Sequence, residues 1–227
     1  MKTPAIDETN ASVVQLYWIP LGAGRRVVRL SGSLYEALDA RRHRRPAVPL
    51  FHSALVVLAT EGRFVIEQTP VPRAREQRHG VVEGPVGSTL AGHLRLFRYE
   101  VRRWRDGVIP DIAEAVGSPV GVSQDPAHAS LIVGLVPLVP ALVWGRDQEH
   151  TGEMWNSNSV IAWLLERAGL DASMLQPPSG GRAPGWGAGR EIAQRDRQTW
   201  IETSGKFASA ASSSASANST SGNRPLR

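Results

Sequence analysis

Ser157 lies in the run Trp155-Asn156-Ser157-Asn158-Ser159, directly before the apolar stretch VIAWLL. A serine at a helix start has unpaired backbone N–H groups and the positive end of the helix dipole beside its hydroxyl. Both stabilise an alkoxide or a nearby oxyanion. A hydroxyl nucleophile also needs a base within hydrogen-bond reach, usually a histidine oriented by a third polar group. His52 heads the run FHSALVVLAT, and Glu67 comes late in the next run, RFVIEQ. Ser157 as nucleophile, His52 as general base and acid, and Glu67 as orienting carboxylate would make an acyl-transfer or hydrolytic site. Asn156, Asn158 and Trp155 would flank its substrate. Each residue also has a plainer role: Ser157 as a helix cap, His52 as a backbone-satisfied strand residue, Glu67 as a solvent-facing strand residue, Asn156 and Asn158 as partners of local backbone, Trp155 as core.

Other chemistry is thinly represented. Asp147, Glu149, His150 and Glu153 cluster before the helix, but no second group of ligands converges on them, so no metal is expected. There is no cysteine, which removes disulfides, thiolate zinc ligands and a thiol nucleophile together. No Walker loop, dinucleotide glycine fingerprint, HExxH or Gly-x-Ser-x-Gly elbow occurs, and no cofactor is expected.

The elements that must position these residues read as follows. VVQLYWI, Val13–Ile19, is a strand stopped by Pro20. Arg25–Leu30 reads as a short strand, and SLYEALDARRH as a short helix with Ser33 and Glu36 at capping-box spacing. Phe51–Thr60 and Arg63–Gln68 form a strand pair joined at Glu61-Gly62. That turn sets Glu67 roughly across from residues near Leu55, so contact with His52 requires a register shift or an intervening loop. Leu94–Val101 alternates like a half-exposed strand, and IAEAV after Pro110 like a short helix. Asp125-Pro126 opens another helix. Asn156–Gly169 is the strongest, with an Asn or Ser cap, a Ser157-Ile161-Leu164-Ala168 stripe and Gly169 to end it. Pro177–Gly189 reads as a loop, with a short helix around Glu191–Trp200.

These signals predict an α+β class, with helices packed on a central antiparallel sheet. Residues 13–206 form a single domain, preceded by a flexible N-terminus (1–12) and followed by a Ser/Ala-rich tail (207–227) too poor in apolar residues to order itself. The longest apolar run, Leu131–Trp144, is broken by Pro137 and Pro140 and is shorter than the roughly 20 residues of a membrane span. No signal-peptide pattern opens the chain, and a cytoplasmic protein is expected. The net charge of +5 is carried mostly by arginine, clustered at Arg41–Arg45 and Arg98–Arg105. Interspersed acids, few aromatics and the absence of a recognition motif argue against nucleic acid.

The order of a His-headed strand, a polar residue late in the next strand, and a nucleophile at a later helix start resembles the circularly permuted papain-like (NlpC/P60-like) superfamily. Its relatives include the lecithin:retinol acyltransferase-like proteins and the PPPDE peptidases. Those families carry a catalytic Cys in a short Asn-Cys motif at a helix start; here Asn156-Ser157-Asn158 occupies that place. The resemblance spans roughly Phe51–Gly169 and implies that Ser157 stands for the Cys, His52 for the family His and Glu67 for its orienting residue. Serine is a far weaker nucleophile at neutral pH. Three functions follow: an acyl-transfer enzyme or hydrolase acting on a small acyl or peptide substrate, a catalytically inactive binding or scaffold module of the same fold, and a basic domain for an acidic partner.

Overall fold

In the computed structural model, residues 12–21, 41, 44, 46–72 and 78–199 are described. The strands are β1 (Val14–Pro20), β2 (Phe51–Ala59), β3 (Gly62–Pro70), β4 (Gly80–Pro85), β5 (Arg98–Arg105) and β6 (Val120–Ser123). They form one sheet in the order β4-β5-β3-β2-β1-β6, and every neighbouring pair is antiparallel. The helices are α1 (Pro126–Leu135), α2 (Ser157–Arg167) and α3 (186–199). The class is therefore α+β, as the sequence predicts. The expected strand at Arg25–Leu30, the helix SLYEALDARRH apart from Arg41, residues 1–11 and the tail 207–227 lie outside the described residues, while Ser12, expected in the flexible N-terminus, is buried.

Strand alternation divides the core in two. On one face Leu16, Trp18, Phe51, Leu55, Val57, Ile66, Tyr99 and Val101 pack with the helices. On the other, Ile19, Ala54, Val56, Val65 and Ile109 form a smaller cluster, joined by Tyr17, Ile112 and Ala115. The β5–β6 connection covers that second face.

Several boundaries differ from expectation. The β2–β3 hairpin pairs Ala59 with Gly62, so Thr60-Glu61 is the loop, one residue earlier than expected. Gly62 takes φ +133°, which suits glycine at the end of so tight a turn. β5 begins only at Arg98, because Ala91–His93 and Arg95–Phe97 close into successive 3-10 turns. There Ser88 Oγ accepts from the Ala91 amide at 3.1 Å, a local bond that competes with extended structure. IAEAV forms a 3-10 turn at Ile112–Glu114. The stripe expected on α2 is not a single face: every residue from Ser157 to Glu166 is buried. Finally, α3 begins inside the expected Pro177–Gly189 loop. The distant Glu153 carboxylate accepts from the amides of Gly185 (2.7 Å) and Gly187 (3.2 Å), serving the N–H groups that a helix start leaves unpaired.

Candidate functional site

β2 and β3 stay paired only from Ala59↔Gly62 to Leu55↔Ile66. Beyond that point β2 follows β1 down to Phe51↔Pro20, while β3 follows β5 to Pro70↔Tyr99. The sheet forks there, which frees the edge of β2 at Phe51 and Ser53. Leu21 N donates to Leu50 O, so the polar groups of Phe51 point away from β1, into the fork. The Phe51 amide donates to Arg182 O at 2.8 Å, and its carbonyl accepts from Asn158 Nδ2 at 2.9 Å. Chain segments from later in the sequence thus replace the missing ladder partner.

The first turn of α2 is the centre of this arrangement. Asn156 caps it, its Oδ1 accepting from the amides of Asn158 (2.9 Å) and Ser159 (3.3 Å). Ser159 Oγ accepts from Asn156 N at 3.1 Å and completes a capping box. Asn158 is buried with both amide hydrogens and its oxygen engaged: Nδ2 also donates to Pro184 O at 2.9 Å, and Oδ1 accepts from Ser53 Oγ at 2.9 Å. Asn156 Nδ2 donates to the same Pro184 carbonyl at 2.9 Å. Gly185 and Gly189 let the following chain approach: an added Cβ would lie 2.6 Å from Asn156 Oδ1 and 2.1 Å from Ser159 O, respectively.

The proposed triad does not come together. Ser53 and Asn158 bring the strand start and the helix start into contact, as an acyl-transfer site requires. However, alternation sends adjacent side chains to opposite faces. Ser53 points to α2, so His52 turns to the face of its cross-strand partner Ile19. Glu67 has the parity of Val65 and lies on that second face too. Its carboxylate accepts from Arg102 Nη1 at 3.1 Å, and Arg102 Nε donates to Glu100 Oε1 at 2.6 Å. Ser157 opens α2 on the other side and is buried. Among the described residues, no hydrogen bond links His52, Glu67 and Ser157. Asn156 and Asn158 spend their amides on backbone and on Ser53, and Trp155 is sealed in the main core, so none is presented to a substrate.

Electrostatics agrees with that separation. Burial lowers the pKa of His52 from 6.5 to about 4, which leaves the ring neutral and a weak base at pH 7. Burial raises the pKa of Glu67, with the nearby Arg102 charge and hydrogen bond opposing the rise. Among the described residues, no group of three or more His, Asp or Glu side chains is arranged to hold a metal. A recess of about 380 Å³ lies elsewhere, lined by Thr151, Glu153, Gly187, Arg190, Glu191 and Gln194.

The sequence reading missed the roles of Ser53 and Glu153, and it read Pro184, Gly185 and Gly189 only as loop residues. For the last three the signal was present in Pro184-Gly185-x-x-x-Gly189, where two glycines one helical turn apart permit close backbone contact. The arrangement defines an α+β domain whose Asn-Ser-Asn-Ser segment clamps a forked sheet. No protein-family model, no curated protein and no solved structure matches the chain.

Proposed function

We propose that this chain is a non-catalytic binding or scaffold module built on a permuted papain-like plan. The observation that carries this reading is the parity of β2: Ser53 reaches α2, and His52 therefore does not. The Asn156-Ser157-Asn158 segment, which would be the nucleophile motif of an enzyme, acts here as a clamp. Support for the plan itself comes from the chain order, with a His-headed strand whose start touches an Asn-Ser helix start.

A serine-reactive fluorophosphonate probe tests the reading. It is expected to leave Ser157 unmodified in the folded chain. Labelling of Ser157 that disappears in His52→Ala would overturn it and restore a serine acyl-transfer enzyme. That second reading draws on one observation, the 2.9 Å contact between the strand start and the helix start.

A further inference from the structure

We propose that the loop 88–97 is a docking tip that seats this module on an anionic lipid surface. The inference names a partner for the binding-module reading and rests on it only in that sense, because the tip is built independently of the clamp. Large apolar side chains are normally hidden, yet Leu90 is 79%, Leu94 62%, Leu96 71% and Phe97 42% exposed. Leu138, 65% exposed, belongs to a turn that packs on the neighbouring strands β4 and β5. So dense a cluster of exposed apolar residues marks an interaction site rather than ordinary surface.

The loop cannot easily fold these side chains inward. Its two 3-10 turns are closed by Gly92 N→Ser88 O (3.2 Å), His93 N→Leu90 O (3.3 Å), Leu94 N→Ala91 O (2.9 Å) and Phe97 N→Leu94 O (2.9 Å). Gly92 lies so close to Pro85 that an added Cβ would fall 2.5 Å from its side chain. The base of the loop is pinned by Gly87 N→Trp144 O (2.9 Å) and by Arg146 Nε, which donates to Gly87 O at 2.7 Å. The leucines are thus held out on short, internally bonded turns, a protrusion rather than a groove.

Charge selects the occupant. From Gly84 to Tyr99 the chain has no Asp or Glu, but it has His93, Arg95 and Arg98. Arg98 is balanced by Glu83 at 3.2 Å and Arg146 lines a recess with Asp147, Glu149 and Glu153, while the exposed Arg95 bonds to a carbonyl oxygen and has no carboxylate partner among the described residues. An apolar tip without carboxylates that carries Arg95 among its leucines matches an anionic bilayer: the leucines enter below the headgroups and the guanidinium remains at phosphate depth. Two copies of the same chain meeting tip to tip would instead bring like charges together. Near an anionic surface each cation contributes about fivefold in affinity, so Arg95 favours anionic over neutral lipid by about fivefold.

The test is flotation of the full chain with vesicles of phosphatidylcholine, with and without phosphatidylserine. The chain is expected to float with the anionic vesicles and about fivefold more weakly with neutral ones. Leu90→Ser/Leu94→Ser/Leu96→Ser is expected to lose at least tenfold, and Arg95→Gln about fivefold. Leu90→Glu, a single change at the most exposed position, gives the same reading should the triple variant fold poorly. Absence of flotation, or unchanged flotation of both leucine variants, would overturn the proposal. So would a concentration-dependent dimer that the triple variant dissolves in the absence of any lipid binding. Fluorophosphonate labelling bears on Ser157 alone, so failure of either proposal is seen separately.

Discussion

Replacing Asn158 by alanine removes the side chain that substitutes for a strand in the fork of the sheet. Three partners are affected. The Phe51 carbonyl, turned away from β1 and beyond the reach of β3, loses the donor at 2.9 Å and stays buried; such a group costs about 1–3 kcal/mol. The Ser53 hydroxyl loses its acceptor, at about 1 kcal/mol. Pro184 O keeps its bond from Asn156 and contributes little. The sum is about 3 kcal/mol. For a domain of this size each kcal/mol lowers the melting temperature by about 2–4 °C, so Asn158→Ala should melt roughly 6–12 °C below the parent in calorimetry.

Two companion variants separate the hydrogen bonds from simple loss of volume. Asn158→Asp keeps an oxygen for Ser53 but turns another towards two carbonyl oxygens, and should be worse than alanine. A double-mutant cycle with Ser53→Ala should show coupling of about 1 kcal/mol, because the two side chains share a bond. Ser157→Ala, which removes no hydrogen bond among the described residues, should stay within about 1 kcal/mol of the parent. Asn158→Ala melting within about 2 °C of the parent would refute the idea that this amide closes the fork.

Acid should reveal the half-buried His52. The unfolded chain binds its proton near pH 6.5, whereas the folded chain resists until about 4. The His52 contribution is therefore complete above about pH 6.5, falls through the interval and is exhausted below about 4, amounting to roughly 3 kcal/mol. Urea midpoints should fall less steeply between about pH 7 and 5 in His52→Gln than in the parent; parallel profiles would contradict this. Arg102→Met should cost about 3–5 kcal/mol in urea unfolding at neutral pH, because it leaves Glu67 and Glu100 buried together without their cation. The penalty should shrink as pH falls and Glu67, whose pKa burial raises, takes up a proton; a penalty independent of pH would argue against that account.

Much of the frame is written in local signals. The strand at β1, the β2–β3 pair, the opening of α1 at Asp125-Pro126 and an Asn156 or Ser157 cap for α2 can all be read from alternation and capping residues, and the structure gives the α2 cap to Asn156. Gly169 ends its helix with φ +85°, as its position suggests. What escapes is non-local. The start of α3 depends on Glu153, over thirty residues earlier, and β4 and β6 are short strands with few apolar residues. The run LRLFRYEV alternates like a strand throughout, yet its first half is taken by turns that Ser88 and Gly92 favour. Periodicity alone does not reveal that competition.

The candidate site fails for a related reason. Sequence order brings the beginning of β2 to the beginning of α2, and the Phe51–Asn158 contact realises that approach. Chemistry further requires that the correct side chain face the helix, and in a strand this is a matter of odd or even position. His52 and Ser53 are neighbours in sequence but occupy opposite faces, so a shift of one residue exchanges a catalytic base for a hydroxyl that ties down an amide. The pattern around His52 offers no way to choose between them. Phe51, Leu55 and Val57 pack with the helices, and Ala54 and Val56 with the second cluster, all of them apolar and buried. A strand buried on both faces carries no polar stripe to mark its parity. Parity is instead set by the tertiary bond from Ser53 to Asn158, and that bond assigns the face towards α2 to serine.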